Sequence, residues 1–251
     1  MGFGGGLRAG GALVLGLVMN LGLFLTGPVL AAKKAPNIEA PMTLTLAGDR
    51  LVAEGRITEK TPAAFEALLA KAAGSVRVVL LSSSGGSVSG AVALGRKIRK
   101  AGLDVVVARQ VEGEATVRKA YCNSACPLVL AAGVRRMVPD GSFVGVHQVK
   151  TNWTQDRIVY RETYRMVNGK KKLISRKEVS RKHDKSYTTV GLYKGLRKTL
   201  TAYLTDMGVS TDLLALMEKA RPNGIYGLKV AEMKRTRLAT ATAGLSALLA
   251  P

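Results

Sequence analysis

A serine, a histidine and a double glycine are the residues of this chain that could do chemistry together. Ser124 stands just before an apolar run that ends at Gly133, and His147 ends a second short apolar segment. Gly85 and Gly86 follow a serine-rich turn after another apolar run. A serine hydroxyl attacks a carbonyl carbon only when a base takes its proton, and histidine is the usual base. Together the three features predict a nucleophilic hydrolase.

Each of these residues also has a purely structural interpretation. Serine is a preferred helix N-cap because its oxygen accepts an unpaired backbone N–H, so Ser124 could simply cap the helix that follows. His147 could be a buried structural histidine, and the glycines could form an ordinary tight turn. The other histidine, His183, lies among basic residues and is expected at the surface. The order of the three features along the chain favours the catalytic interpretation.

The segments around these residues alternate between strand and helix patterns. Continuous apolar runs bounded by turn residues predict strands buried on both faces, which is typical of a parallel sheet with helical crossovers. The expected fold class is therefore α/β. Strands are predicted at 42–46, 50–58, 76–81, 103–108, 136–138 and 143–146, and helices are predicted to begin near residues 61, 88, 192 and 211.

These motifs and their order resemble the Clp protease proteolytic subunit and the crotonase superfamily. That subunit has a serine and glycine turn, a nucleophilic serine at the head of a helix, and a catalytic histidine followed by glutamine. The resemblance covers about residues 43–149, with a weaker likeness at 225–232, and is greater still to exported bacterial Clp-like proteins with a Cys-x-Ser-Ala-Cys segment. The matching residues are Ser82-Ser83-Ser84-Gly85-Gly86-Ser87-Val88, Ser124-Ala125, Leu130-Ala131-Ala132-Gly133 and Val146-His147-Gln148.

The resemblance implies a fold, a site and a reaction. It implies repeated ββα units around a mainly parallel sheet over residues 40–238, with a basic insertion after the histidine. It implies that Ser124 is the nucleophile, that His147 is its base, and that the backbone amides of Gly86 and Ala125 form the oxyanion hole. We therefore expect an exported, ATP-independent serine peptidase that acts on a peptide or protein substrate, with no cofactor and no metal ion.

The third member of the catalytic triad is where the sequence departs from the family. The family has an Asp, but the register against residues 225–228 places Asn223 at that position. An Asn can orient a histidine but cannot stabilise an imidazolium as a carboxylate does. Asp206 is the alternative third residue. The chain is then a slow hydrolase, a hydrolase with a different acid, or a protein that has kept the fold without the chemistry.

Other function classes remain open beside the peptidase. One is a catalytically inactive Clp-like scaffold that binds an anionic partner, which Asn223 favours and the Gly86, Ser124 and His147 set disfavours. Another is a crotonase-like acyl-CoA enzyme, which needs the oxyanion turn but neither a nucleophilic serine nor export. A relative of signal peptide peptidase A, with a Ser-Lys pair, is the neighbouring possibility.

Two cysteines, Cys122 and Cys126, flank the candidate nucleophile. Residues four apart in one helix have Cβ atoms about 5–6 Å apart, whereas a disulfide needs about 3.5–4.5 Å, so a bridge requires Cys122 to lie outside the helix. A strand that ends before Ser124 would allow this. Export to an oxidising compartment favours a bridge, and two buried thiols are the alternative.

Residues 1–32 are predicted to be a signal peptide. Arg8 precedes an apolar stretch over residues 11–25, a Gly-Pro pair then breaks any helix, and small residues around Ala31 suit a signal peptidase. We expect a periplasmic or extracellular protein whose mature chain begins near Ala32. The alternative is an inner-membrane anchor, although the apolar stretch is shorter than the roughly 20 residues of a membrane span.

Charge is concentrated after His147. The chain of 251 residues has 38 Lys and Arg and 17 Asp and Glu, a net charge of +21. Residues 150–198 alone have 15 Lys and Arg and 4 Asp and Glu, a net charge of +11. Residues 157–167 are predicted to form a strand, Asn168-Gly169-Lys170 a turn, and 172–175 the returning strand. This basic arm, residues 150–190, could be a solvated hairpin only.

A docking role is the functional interpretation of the basic arm. We expect the basic segment 150–198, which includes the arm, to meet an anionic membrane surface or another acidic partner, and contact between subunits of a homo-oligomer is the alternative. Nucleic acid is not expected, because an exported protein rarely meets it and no RNA-binding or DNA-binding module is recognisable. The Ala-rich tail, residues 239–251, is expected to fray.

Overall fold

The computed structural model of the chain describes residues 39–110, 117–221 and 223–242. The predicted signal peptide, residues 1–32, lies outside the described residues. The strands are β1 (Thr43–Ala47), β2 (Arg50–Glu54), β3 (Val78–Ser82), β4 (Asp104–Val106), β5 (Ala108–Gln110), β6 (Val117–Lys119), β7 (Tyr121–Asn123), β8 (Arg136–Met137), β9 (Phe143–Val146), β10 (Lys150–Val167), β11 (Lys170–Val190) and β12 (Tyr226–Gly227). The helices are α1 (Thr61–Lys71), α2 (Val88–Lys100), α3 (Cys126–Ala131), α4 (Lys194–Asp206), α5 (Asp212–Glu218) and α6 (Val230–Arg235).

A five-stranded sheet in the order β1-β2-β3-β4-β8 organises a mixed α/β fold. The β1–β2 pair is an antiparallel hairpin, whereas β2–β3, β3–β4 and β4–β8 are parallel. Helices α1 and α2 make the crossovers on either side of β3. In β3, Val79 and Leu81 belong to the main core and Leu80 to a second, smaller core, so this strand is buried on both faces.

A second sheet, in the order β12-β9-β7, carries the candidate catalytic residues. Strands β7 and β9 are parallel, with Asn123 opposite Gly145, and β12 pairs antiparallel with β9. The carboxyl ends of β7 and β9 therefore lie side by side. Ser124 follows one of them directly and His147 follows the other, so the sheet register alone brings the two residues together.

The basic arm is a two-stranded antiparallel hairpin of β10 and β11, with 18 and 21 residues. Asn168 and Gly169 both have positive φ (51° and 72°), the conformation of a two-residue type I′ turn. The turn is thus one residue shorter than predicted, and the returning strand begins at Lys170 and runs to Val190, far beyond the predicted 172–175. Every residue of β11 is exposed.

The start of the Ala-rich tail is part of the fold. Ala239 is buried, Thr240 and Ala241 both donate their backbone N–H to the Arg136 carbonyl, and Ala241 forms a parallel bridge with Met137. The expectation that the tail frays from residue 239 is therefore wrong for its first three residues. No helix in the described part of the chain is long and apolar enough to cross a membrane.

Candidate active site

Ser124 occupies a strained turn between β7 and α3. Its φ of 62° lies in the left-handed region, which is uncommon for a residue with a side chain and is often found at functional sites. Its backbone N–H donates to the Gly145 carbonyl at 2.9 Å, which ties the turn to β9. The N-cap of α3 is Ala125, and no side chain caps this helix. The Ser124 hydroxyl is therefore not used as a helix cap.

The Ser124 hydroxyl faces the imidazole of His147. Nε2 of His147 lies 2.6 Å from Oγ of Ser124, and Nδ1 lies 2.6 Å from the backbone carbonyl oxygen of Gln148. A carbonyl oxygen only accepts hydrogen bonds, so Nδ1 carries the proton and Nε2 presents its lone pair to the serine. Both side chains are half-buried. This is the arrangement of a nucleophile with its general base already in contact.

The two residues predicted as third members of the triad have other partners. Oδ1 of Asn223 accepts from Nζ of Lys150 at 2.6 Å, although Asn223 lines the same cavity as His147. Asp206, at the end of α4, forms an ion pair with Arg96 at 3.8 Å. Among the described residues, neither side chain hydrogen-bonds to the imidazole.

Gln148 is the residue that the sequence analysis missed. Its backbone carbonyl accepts from Nδ1 of His147, and its side-chain amide donates to the carbonyls of Glu218 and Ala220 at 3.2 and 3.1 Å. The side chain therefore anchors the strand end that holds the base to the end of α5. The His-Gln motif was the available signal, but a role played by a backbone carbonyl has no residue type that would announce it.

The double glycine lies against the serine. A Cβ on Gly85 would stand 2.4 Å from Cβ of Ser124, and a Cβ on Gly86 would stand 2.1 Å from the Ile57 carbonyl oxygen, so neither position has room for a side chain. Both glycines have positive φ, 107° and 123°. In the part of the chain that the structure describes, neither the Gly86 amide nor the Ala125 amide donates to a protein acceptor. Both predicted oxyanion donors are thus available to a ligand.

Backbone pairing explains why the glycine turn is held beside the serine. Ser83, which is fully buried, donates its N–H to the Tyr121 carbonyl at 2.8 Å and accepts from the Asn123 N–H at 3.0 Å. The end of β3 is therefore joined to β7. The Ser83 hydroxyl also accepts from the Gly85 N–H at 3.0 Å, which fixes the start of the turn.

A disulfide joins Cys122 to Cys126 across the serine turn, with a Cα–Cα distance of 5.1 Å. Cys122 lies in β7 and Cys126 is the first residue of α3, so one partner is outside the helix, as a bridge at this spacing requires. Both cysteines are fully buried. The bridge closes a five-residue ring with Ser124 at its centre.

Two cavities adjoin residues of the candidate site, one at Gly86 and the other at His147. The larger, of about 900 Å³, reaches Gly86 and has a mixed lining, with apolar side chains such as Val88 and Leu196 beside the charged Glu59 and Arg96. The smaller, of about 230 Å³, is lined by His147 and by basic and amide side chains. Lys150 lines both cavities. Among the described residues, no group of three or more His, Cys, Asp or Glu side chains could hold a metal ion.

Comparison with known proteins yields distant structural likenesses. No protein-family model matches the sequence, and no curated protein matches it. A serine-to-alanine mutant of the 1510-N membrane-bound stomatin-specific protease aligns with 81% of this chain and 84% of its own, at 14% identity and a TM-score of 0.48. A lysine-to-alanine mutant of that protease in complex with a substrate peptide aligns with 79% of this chain and 77% of its own, at 14% identity and a TM-score of 0.46. Likenesses this distant carry no argument about function.

Proposed function

We propose that the protein is an exported serine peptidase-like hydrolase that acts through Ser124 and His147 without ATP. The observation that carries the proposal is the 2.6 Å contact between Nε2 of His147 and Oγ of Ser124, with Nδ1 engaged by a carbonyl. The proposed mechanism does not require a cofactor, because the chain itself supplies the base, the nucleophile and two backbone amides.

The reaction follows from the positions of these groups. Oγ of Ser124 attacks the peptide carbonyl carbon while Nε2 of His147 takes the hydroxyl proton. The amides of Gly86 and Ala125 stabilise the oxyanion, and each such donor is typically worth about a hundredfold or more in rate. The C–N bond then breaks, the imidazolium gives its proton to the leaving amine, and water activated by His147 hydrolyses the acyl ester.

Among the described residues, the partner of Nδ1 of His147 is a backbone carbonyl and not a carboxylate, which bears on the rate. The Gln148 carbonyl fixes the productive tautomer, but its partial charge stabilises the imidazolium less than the full charge of an Asp does. We therefore expect slow turnover. The proposal needs an acyl pocket, and the cleft of about 900 Å³ beside Gly86 has room for the residues on the acyl side of the bond.

A fluorophosphonate serine probe tests the proposal on the mature protein. Ser124→Ala and His147→Ala should each abolish labelling, because residues that act as one catalytic unit fail together. Ser186→Ala and His183→Ala are the matched controls: both residues lie on the exposed arm and should leave labelling unchanged. Labelling that persists in Ser124→Ala would overturn the assignment.

Export is a part of the proposal that needs its own test. It is supported by the signal-like segment 1–32 and by the disulfide, because disulfides persist mainly in oxidising compartments. N-terminal sequencing of the native protein should give a chain that begins near Ala32. An intact Met1 on a cytoplasmic chain would contradict it.

A second candidate function is docking of the basic arm onto an anionic membrane, with or without catalysis. The arm, residues 150–190, has 12 Lys and Arg against 4 Asp and Glu, and it also exposes apolar side chains. A two-stranded hairpin is marginally stable by itself, so an arm of this length favours a surface to lie on. Basic residues near an anionic leaflet contribute about 1 kcal/mol each. The exposed apolar side chains include Tyr160, Tyr164, Met166, Leu173 and Ile174.

Sedimentation with lipid vesicles tests the docking role. Binding to vesicles that contain anionic lipid should be strong at low salt, weak at high salt, and absent with neutral lipid. Replacing Lys170, Lys171 and Lys172 by Gln should weaken it. Binding that depends on neither salt nor lipid charge would contradict membrane docking, and a concentration-dependent dimer that the same change dissociates would make the arm a contact between subunits.

A further inference from the structure

We infer that the small cavity beside His147 binds the C-terminal carboxylate of the substrate, so that the protein removes short segments from the C-terminal end of peptides. This inference rests on the proposed function, since it assigns the substrate class of the same site. It commits the hydrolase to exopeptidase-like cleavage rather than cleavage within a long chain.

The position of the cavity assigns it to the leaving group. In acyl transfer the protonated base gives its proton to the departing amine, so the leaving segment lies beside the base. His147 lines the small cavity, whereas Gly86, one of the proposed oxyanion donors, lines the large cleft. The acyl part of the substrate therefore occupies the large cleft, and the part released as an amine occupies the small one.

The size of the small cavity suits a short leaving segment. Its volume of about 230 Å³ is below the roughly 300–1,000 Å³ of ordinary ligand pockets. A leaving segment of one or two residues fits this space, and its free carboxylate would then lie inside the cavity. The start of the arm at Lys150 and its end at Val190 both line the cavity.

The charge of the cavity suits a carboxylate. Lys150 and Arg221 both line it, and none of its described lining residues is acidic. Nζ of Lys150 donates one hydrogen bond to Oδ1 of Asn223, which leaves further N–H donors on both groups. Among the described residues, the Arg221 guanidinium has no ion pair and no side-chain hydrogen bond. Glu218, a nearby acid on α5, is already paired with Arg197.

Arg221 and Lys150 together can hold a carboxylate in a fixed orientation. A guanidinium offers two parallel N–H donors to the two carboxylate oxygens, and an ammonium adds a point charge. The amide of Asn223 supplies a further donor on the same wall. A carboxylate bound by these groups would place the scissile bond one or two residues away, within reach of Ser124. Hydrolysis would then release a free amino acid or a dipeptide.

Two measurements on the full mature chain test the inference. In the first, a peptide with a free C-terminus is compared with the same peptide as its C-terminal amide. We expect kcat/KM for the acid to exceed that for the amide by about tenfold or more, the worth of one charged hydrogen bond. Mass spectrometry should show loss of one or two C-terminal residues. Arg221→Gln and Lys150→Gln should each reduce the acid-to-amide ratio, whereas Lys71→Gln, in α1, should not.

The second measurement separates this inference from the proposed function. Calorimetry with the Ser124→Ala protein should show tighter binding of the acid than of the amide, and Arg221→Gln in that background should remove the preference. Equal affinity for acid and amide, or equal cleavage of both at internal bonds, overturns the carboxylate site even if the serine probe labels the protein. A preserved preference in a protein that the probe does not label overturns the peptidase and supports the carboxylate site.

Discussion

The serine turn and the basic arm both adjoin His147, yet the molecule holds them in opposite ways. Around the turn, Cys122, Ala125 and Cys126 are buried almost completely, and backbone hydrogen bonds join it to two other strands. The arm begins at Lys150, pairs only with itself over most of its length, and exposes all of β11. Packing therefore fixes the Ser124 turn, whereas mainly cross-strand bonds fix the arm.

The comparison predicts that equivalent changes in the two regions have unequal effects. A change in the turn should displace the Ser124 hydroxyl, because close packing transmits any added volume directly. A change in the arm should leave the site in place, because the side chains of β11 face solvent. The two regions also differ in charge. The turn has no charged side chain, whereas the arm has a net charge of +8.

The largest difference is expected between two glycines of positive φ. Gly85→Ala places a Cβ 2.4 Å from Cβ of Ser124 and should reduce the rate of probe labelling by about a hundredfold or more, the cost of a misplaced catalytic group. Gly169→Ala, at the tip of the arm, meets nothing within 4 Å and is the matched control for strain. Its labelling rate should equal that of the wild type. Equal losses in both variants would show that strain alone matters.

The disulfide provides the next test of the comparison. Replacing Cys122 and Cys126 by Ser removes a five-residue ring and should lower the free energy of unfolding by about 2 kcal/mol, from the chain-entropy estimate. The serine turn is also freed, so labelling should slow. Denaturant unfolding and probe kinetics, each with and without reductant, measure the two effects.

Reductant is itself the control for this experiment. Reductant should lower the free energy of unfolding and the labelling rate of the wild type and leave both unchanged in the Cys-free variant. It should not alter hydrogen exchange in the arm. An identical stability of the oxidised and reduced wild type would mean that the packing of the turn, rather than the bridge, determines its geometry.

The sequence predicts the buried part of the fold better than the arm. Strand β3 was predictable because burial on both faces demands a continuous apolar run, and the tip of the arm because Asn-Gly is the preferred type I′ turn. The length of β11 was not, because a charged strand exposed on both faces shows no alternation. Its conformation is imposed by β10, a contact that no local pattern records.

The candidate site divides in the same way. The motif order placed Ser124 and His147 together, since each follows a strand of one parallel pair. The orienting group could not be predicted, because it is the backbone carbonyl of Gln148. The partner of Asn223 could not be predicted either, because Lys150, the first residue of the arm, is far from Asn223 in the sequence. Contacts that join distant segments through common residue types have no sequence signature.

A smaller effect is expected when a carboxylate of the packed α/β domain is compared with one of the arm. Glu54, at the end of β2, has a buried Oε1 without a hydrogen-bond partner among the described residues, and burial raises its pKa above 4.5 although Arg109 opposes the shift. The folded state thus holds this proton more tightly than the unfolded chain. Stability is therefore lost as the pH rises from about 4.5 through the raised pKa.

Glu54→Gln tests this sign, because Gln keeps the neutral form at every pH. The variant should unfold at a higher temperature than the wild type at neutral pH, and the difference should vanish below the unfolded pKa of 4.5. The matched control is Glu162→Gln on the arm, where the carboxylate forms an exposed pair with Arg176 at 3.2 Å. Surface pairs of this kind contribute little, so its unfolding temperature should hardly change. A destabilised Glu54→Gln would mean that the attraction to Arg109 outweighs desolvation.

The smallest effect on the catalytic domain is expected from the largest change in the arm. Replacing residues 160–179 by Asn-Gly joins Val159 to Ser180, which are already opposite each other in the hairpin, through a favourable two-residue turn. The residues removed are exposed and their backbone pairs only within the segment, and the ion pair of Glu178 with the retained Arg181 is exposed. The free energy of unfolding should therefore change by less than about 0.5 kcal/mol, as for other surface changes. Lys150, Asn223 and the serine turn are untouched, and probe labelling should keep its wild-type rate. Seven Lys and Arg and two Glu are lost, a net charge of +5, so binding to anionic vesicles should weaken and its salt dependence should become shallower. A large loss of stability or labelling would instead show that the arm supports the site, and would end the distinction between a packed catalytic turn and an independent docking arm.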